Sequence, residues 1–320
     1  MYSIEELIPI VNKAIDGHYN NRSPKRLYEP ISYAMSAGGK RIRPILCLMA
    51  CNVFSDDIYK ALEPAIGLET FHNFTLLHDD IMDHADVRRN QPTVHKKWDE
   101  NTAILSGDAM MIEAYEYFLN LPTEALRHSL KVFNQTAREV CEGQQFDMDF
   151  ESISSVKIED YLEMIRLKTA VLLAASLKIG SIIGGATSND ANLMYQFGIH
   201  MGMAFQLQDD YLDTFGDEST FGKKIGGDIV ENKKTFLQIS ATEKNEQLMQ
   251  ELMQRTYKNN QEKISVITQT YRDLSIDKAA QNAILDEYKR AYEVLNSISV
   301  AENNQKELLK FLDQLKQRVF

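Results

Sequence analysis

The chain has 320 residues, 44% of them hydrophobic, with 46 acidic against 35 basic side chains for a net charge of −11. That is enough apolar material for one large domain or two ordinary ones. The acidic balance argues against nucleic acid as a partner, and it leaves any anionic substrate dependent on local positive charge. Gly and Pro are sparse, at 15 and 7 residues, and no Pro-, Gly- or Ser-rich stretch marks a linker. Residues 1–320 therefore read as a single continuous domain.

In chain order, the opening MYSIEELIPIVNKAIDGHYN has no basic region followed by an apolar run, so it does not read as a secretory signal. GGKRIRPIL follows, with Gly38-Gly39 as a helix break, three cations (Lys40, Arg41, Arg43) and Pro44, a favoured first helical residue. Cys47 and Cys51, four apart in an apolar run, read as small buried hydrophobes. From Leu62 through Ile66, Phe71, Phe74 and Leu77 to Ile81 the apolar spacing predicts one long amphipathic helix. Thr169 to Ala186 is the longest apolar stretch, but Lys178 interrupts it. A membrane span needs roughly 20 uninterrupted apolar residues, so a buried core helix is expected instead. A second long helix runs from Leu193 through Phe197, Met201 and Phe205 to Leu212, and further breaks fall at Gly184-Gly185, Gly216 and Gly226-Gly227. After about Ser240 the tail is rich in Glu, Gln, Lys and Asn, which fits either local mobility or solvated helical faces. Strand-like alternation is nearly absent, so the fold class is all-α with about ten or more helices. Three cysteines without zinc-ligand spacing, and no signal, point to a cytoplasmic protein.

One pattern occurs twice. DDIMD (Asp79 to Asp83) is answered by DDYLD (Asp209 to Asp213), each towards the C-terminal end of a long apolar helix. Residues four apart on a helix lie about 40° apart and one turn along. Asp79 and Asp83 thus share a face with Asp80 beside them, and Asp209 and Asp213 repeat the arrangement with Asp210. A solvated acidic face is the bland alternative. Against it stand the duplication, the apolar sequence before each cluster, and the lack of a lysine four residues on that would offset the charge. An EF-hand is excluded because His84 occupies the position where its loop needs glycine. Paired carboxylates of this kind suit Mg²⁺, which takes one or two of them, keeps waters, and completes its shell with phosphate oxygens.

Basic residues bracket both clusters. Arg88 and Arg89 follow the first, and GGKRIRP precedes it; a glycine pair before a helix start, loaded with cations, is a natural phosphate cradle. His72 lies seven residues before Asp79, about 20° away on the wheel and roughly 10 Å along the axis, and is either a core histidine or part of that site. Lys168-Thr169, Lys223-Lys224 and Lys233-Lys234 follow in sequence. The chemistry such an arrangement serves is departure of a diphosphate whose charge is held by cations and Mg²⁺.

Taken together, GGKRIRP, HNFTLLHDDIMD with its following RR, Gly143-Gln144, KTA at Lys168, FQLQDDYLD and the GK…D…K run ending at Lys233 resemble the trans-isoprenyl diphosphate synthase (polyprenyl synthetase) family. The match covers about Tyr33 to Thr235. The resemblance implies a bundle of helices around a deep cavity, with the two aspartate helices facing each other across its mouth. It implies that Asp79 and Asp83 hold two Mg²⁺ ions with Asp80 in support, and that Asp209, with Asp213 nearby, holds a third. Arg88, Lys168, Lys223 and Lys233 would grip the allylic diphosphate. Gly39, Lys40, Arg43, His72 and Arg89 would bind isopentenyl diphosphate, and the oxygens of Thr169 and Gln206 would stabilise the carbocation. The family also implies a homodimer. Two positions depart from its pattern: Asn232 replaces the glycine before the final lysine, leaving Lys233 against Lys234 open, and Asn90 stands where many members have glycine.

Product length in the family depends on the residues four and five before the first aspartate, here Thr75 and Phe74, with Phe71 further down. An aromatic at the fifth position with a small Thr75 and no insertion in DDIMD resembles the geranylgeranyl (C20) type, the farnesyl (C15) type being next; Phe71 and Phe74 could equally be plain core. The alternatives are a class I terpene cyclase, which binds no second diphosphate, and a non-catalytic helical partner subunit, which would not need all six aspartates.

Overall fold

The first helix, α1 (Ile4–Ile15), shows how locally the chain is instructed. The Ser3 hydroxyl accepts from Glu6 N–H while the Glu6 carboxylate accepts from Ser3 N–H, a reciprocal cap that starts the helix. Leu7, Val11 and Ile15, on one face, are buried. In this computed structural model all residues are described except 17, 20–21, 218–224 and 318–320. The chain divides into two compact units: Met1–Asn134 with Ala175–Met194 and Ser299–Leu308, and Gln135–Ala174 with Tyr195–Ile298 and Leu309–Phe320.

In the first unit α2 (Lys25–Ser36) and α3 (Ile42–Phe54) are separated by the glycine pair, at φ +78° and +126°, values that only glycine adopts without strain. The long helix α4 (Leu62–Met82) is buried along most of its length, from Pro64 to Leu77 and again at Asp80. After it comes an element that hydrophobic periodicity did not announce, a two-stranded antiparallel hairpin, β1 (Val87–Arg88) with β2 (Gln91–Pro92). Its turn residues Arg89 and Asn90 both have positive φ, 52° and 61°, as a two-residue turn compatible with strand twist requires. Strands of two residues are too short to show alternation in sequence. Asn, after Gly the residue that best tolerates this conformation, stands at 90, which explains that departure from the family pattern. Then come α5 (Val94–Lys97), α6 (Glu100–Glu116) and α7 (Thr123–Ser152). Helix α6 lies directly on α4: a Cβ at Gly67 would stand 2.8 Å from the Ala114 carbonyl oxygen.

The second unit begins within α7 and continues through α8 (Ile158–Ile165) and a π-helical turn at Arg166–Ala170 into the start of α9 (Val171–Gly184), whose residues from Ala175 belong to the first unit. A Cβ at Gly143 would lie 2.3 Å from the Lys168 backbone nitrogen, so the glycine of the Gly143-Gln144 motif is what admits this turn. Helix α10 (Ser188–Phe215) buries Phe197, Met201, Ala204 and Leu207. After α11 (Gly227–Val230), the polar-looking tail forms α12 (Phe236–Lys244), α13 (Glu246–Gln254), α14 (Asn260–Asp273) and α15 (Ile276–Asn296). Leu237, Met249, Ile267, Tyr271 and Ile276 share a core cluster, so the tail is built of amphipathic helices, in keeping with the reading of its polar residues as solvated helical faces. Helix α16 (Glu302–Lys316) closes the described chain.

The glycine breaks fall at or between helix ends, the all-α expectation of ten or more helices holds, and Cys47 and Cys51 are fully buried free thiols. The stretch Ile158–Gly184 is long and apolar enough to span a membrane, but 78% of its most apolar window is buried within the protein, as a core helix would be.

Candidate active site

In the first unit α4 carries DDIMD into its last turn. Asp79 and Asp80 are helical; Asp83 is the C-cap residue, exposed, with its N–H donating to the Asp79 carbonyl at 2.8 Å. The hairpin brings Arg88 back onto this turn. Its Nε donates to Asp80 Oδ1 at 2.7 Å, and its Nη2 lies 3.8 Å from Asp79 Oδ2. Asp80 is buried; burial pushes its carboxyl upward and Arg88 pulls against that. Asp80 thus points its charge into the protein, while Asp79 and Asp83 keep theirs partly or fully exposed.

The same hairpin turn places Arg89 over the glycine pair. Its Nη1 donates to the Gly38 carbonyl, and its guanidinium carbon lies 2.9 Å from where a Cβ of residue 39 would be. Gly39 is therefore required twice, by its φ and by this close approach. The three cations of GGKRIRP separate into different roles. Lys40 is exposed. Arg41 is buried in a left-handed N-cap position, φ 47°, paired with Glu69 at 2.8 Å and donating to the Met35 carbonyl, which makes it a structural anchor. Arg43 faces Arg89 and His72; burial and the Arg89 charge lower it to about 10, still cationic at neutral pH, with the Glu69 charge opposing. His72 keeps part of its surface, yet burial, followed by the charges of Arg43, Arg89, Arg88 and Arg41, holds its imidazole well below the usual value and so neutral. With Arg41 paired to Glu69 and Arg88 to Asp80, the charges of Arg43 and Arg89 beside a neutral histidine could hold an anion, which is compatible with the site reading of His72.

Above these residues on α4, Phe71 and Phe74 are buried with ring centroids 5.5 Å apart, and Phe71 also meets Phe133 edge-on at 5.1 Å. The Thr75 hydroxyl donates to the His72 carbonyl at 2.8 Å.

In the second unit α10 carries DDYLD entirely within helix. The π-helical turn presents Lys168 and Thr169, and such turns recur at functional sites. Lys168 Nζ lies 2.6 Å from Asp147 Oδ2. The Thr169 hydroxyl donates to Gln206 Oε1 at 3.1 Å, and Gln206 Nε2 donates to Asp210 Oδ1 at 3.1 Å. Tyr161 donates its hydroxyl to the other oxygen of Asp210. Burial pushes the Asp210 carboxyl upward, and the Asp228 charge pushes it further. Asp213 accepts from Asp228 N–H at 3.0 Å. The structure joins Thr169 to Gln206 and adds Asp147, Tyr161 and Asp228, which the sequence reading did not name. Asp147 had a signal, standing four residues after Gly143 on the same helix. Tyr161 and Asp228 had none.

Lys233 and Lys234 have different surroundings. Lys234 donates to the Phe150 carbonyl, and to that of Glu151 at 3.5 Å, at the C-terminal end of α7, where a cation is favoured. Lys233 is exposed, and its charge acts on Asp210. Asn232, before them, has φ 56°, so glycine's usual place there is a left-handed position that Asn also tolerates. Lys223 lies outside the described residues.

Among the described residues no three of His, Cys, Asp and Glu converge into a cage that could hold a metal. The donors that the two aspartate clusters offer are hard carboxylate oxygens, the kind that divalent cations such as Mg²⁺ take.

Residues 24–274 match the model of the polyprenyl synthetase family. The geranylgeranyl diphosphate synthase of Sulfolobus acidocaldarius is 35% identical over 314 residues, covering 96% of this chain and 94% of the relative. That of Methanosarcina mazei is 40% identical over 244 residues, 76% of this chain and 72% of the relative. The geranylfarnesyl diphosphate synthase of Natronomonas pharaonis is 39% identical over 257 residues, 75% of each. A crystal structure of a geranylgeranyl pyrophosphate synthase superposes with a TM-score of 0.95 at 42% identity, covering 100% of both chains. With its helical architecture, its two aspartate clusters and this anion pocket, the chain belongs to the polyprenyl synthetase family.

Proposed function

We propose that this protein is a Mg²⁺-dependent short-chain trans-prenyltransferase that condenses isopentenyl diphosphate with allylic diphosphates, making geranylgeranyl diphosphate (C20) as its main product. The observation that carries this reading is the anion pocket of Gly39, Arg43, His72 and Arg89 on the same unit as Asp79 and Asp83. A terpene cyclase has one diphosphate to bind and no use for a second cradle.

In this reading Arg43 and Arg89 take the charge of isopentenyl diphosphate with Lys40, and neutral His72 gives it a hydrogen bond without adding charge. Arg88, Lys168 and Lys233, with Lys223, hold the allylic diphosphate; Asp79, Asp83, Asp209 and Asp213 hold Mg²⁺. The ion, when bound, would neutralise charge that builds on the departing diphosphate. The allylic carbon–oxygen bond breaks with its electron pair leaving on diphosphate. The double bond of isopentenyl diphosphate then forms the new carbon–carbon bond, and a proton lost to the released diphosphate restores the double bond. The Thr169 hydroxyl, which donates to Gln206, keeps its lone pairs for the electron-poor carbon. Apolar walls such as Phe71 and Phe74 exclude water that would capture the cation. Phe74, Thr75 and Phe71 set the product length.

The family match spans segments of both units, which supports residues 1–320 acting as a single polyprenyl synthetase domain. Helix α6 presents Leu105 and Ile112, 60% and 64% exposed, one heptad apart. An apolar stripe of this kind supports a homodimer. Free buried thiols support a cytoplasmic location.

The test is to incubate the purified protein with Mg²⁺, labelled isopentenyl diphosphate and each allylic diphosphate, then size the dephosphorylated products. A C20 product that disappears in Asp79→Ala is expected. Cyclic hydrocarbons without incorporation of isopentenyl diphosphate would instead make the protein a cyclase, and no turnover at all would make it a partner subunit.

A further inference from the structure

We infer that His78, the residue immediately before the first aspartate, is a positioning residue for product length: it clamps the ring of Phe74. His78 and Phe74 are four apart on α4 and so share a face. Their ring centroids are 4.8 Å apart at 69°, an edge-to-face contact, while Phe71 meets the same Phe74 ring from another side at 5.5 Å. The Phe74 ring is thus held between two other rings.

What makes His78 a clamp rather than a passing neighbour is that it is itself fixed twice, both times by α6. Its Nε2 lies 3.2 Å from the Ile104 carbonyl oxygen. A carbonyl only accepts, so Nε2 carries the proton and donates; the oxygen has a second lone pair for it. The ring also occupies a notch left by Gly107, where a Cβ would stand 2.2 Å from Nε2 and 2.5 Å from Cδ2. Glycine in a helix interior is unfavourable relative to alanine. Here it gives the histidine ring direct access to the backbone of the neighbouring helix. Three contacts therefore converge on one ring, and the ring they steady faces the residue to which product length was assigned. The inference rests on that assignment of Phe74 and on the prenyltransferase reading above.

The test compares product lengths of the full chain, its Phe74→Ala, His78→Ala and Gly107→Ala variants, and the Phe74→Ala/His78→Ala double variant, with melting temperature as a check on folding. Gly107→Ala removes the notch without touching α4 and keeps the test valid should His78→Ala fold poorly. Both single clamp variants are expected to raise the ratio of C25 to C20 product about threefold to tenfold, the scale of one lost ring–ring contact. The KM for isopentenyl diphosphate should stay within about twofold, because uniform substrate binding is untouched. In the Phe74→Ala background, His78→Ala should add nothing further, since the ring it acts through is gone. His78→Phe, which restores an aromatic edge, should bring the ratio back towards that of the unaltered chain.

If Phe74→Ala lengthens the product while His78→Ala and Gly107→Ala do not, His78 is only a packing residue and the proposal is overturned. A full additive effect of His78→Ala on Phe74→Ala overturns it too, as does a Phe74→Ala product of unchanged length. Failure of the unaltered chain to incorporate isopentenyl diphosphate would be a different result, one that refutes the prenyltransferase reading itself.

Discussion

The two aspartate clusters share one pattern and have different surroundings. DDIMD sits at the end of α4, where the helix stops at Met82 and a hairpin folds an arginine back onto it. DDYLD lies inside α10, where Tyr161 and Gln206, both neutral donors, hold Asp210 instead. Burial pushes the carboxyls of Asp80 and Asp210 upward alike. The first is met by the opposing charge of Arg88, the second is pushed further by the like charge of Asp228. Identical pentapeptide spacing therefore fixes which carboxylates share a face, and leaves the charge balance of each cluster to whatever the fold brings beside it.

Activity is where breaking this pair should show most. Asp79→Ala is expected to lower kcat/KM by on the order of 10³-fold, the scale on which removing a preorganised charge-stabilising group acts. Asp209→Ala should cost less, since the first cluster is assigned two ions and the second one; equal losses in steady-state assays would remove that asymmetry.

The central aspartates give the next effect. Arg88→Leu leaves Asp80 buried without its ionic partner and should cost about 2–3 kcal/mol in urea unfolding, whereas Tyr161→Phe removes a neutral donor from Asp210 and should cost about 1–2 kcal/mol. A larger loss from Tyr161→Phe would mean that Asp210 depends on its hydroxyl more than Asp80 depends on a charge.

A smaller effect comes from His72. Its folded-state value lies well below 6.5, so below pH 6.5 the unfolded chain binds a proton that the folded chain refuses. Stability from this group is intact above pH 6.5 and falls as pH drops beneath it, by at most about 1.4 kcal/mol per pH unit. Unfolding midpoints measured from pH 7.5 to 5 should show a shallower slope for His72→Asn; an unchanged slope would mean that burial and the guanidinium groups around it do not keep His72 neutral.

The smallest concerns Asn232. At φ 56°, Asn232→Gly should shift stability by no more than about 0.5 kcal/mol and Asn232→Ala should cost about 1 kcal/mol. The contact of Asn232 Oδ1 with Lys263, 2.7 Å on the surface, is too exposed to reverse that order.

Much of this molecule was legible in its residues, because helices are written locally. Apolar spacing located α4 and α10, glycine pairs located the breaks, and the four-residue spacing of the aspartates located a shared face. The hairpin escaped because two-residue strands leave no periodic trace, although its turn residues Arg89 and Asn90 are what place Arg88 on Asp80 and Arg89 on Gly38. Nor could composition tell three neighbouring cations apart. Arg41 became an anchor, Arg43 a face of the anion pocket and Lys40 a surface charge, since the left-handed turn at Arg41 sends its side chain to Glu69. The π-helical turn that carries Lys168 and Thr169 depends on Gly143, more than 20 residues earlier, having no side chain. Local spacing determined by itself which residues are helical and which carboxylates stand together. Which charges meet, which lysine caps a helix and which ring holds another were decided only when distant segments came into contact, because electrostatics and close packing act through space.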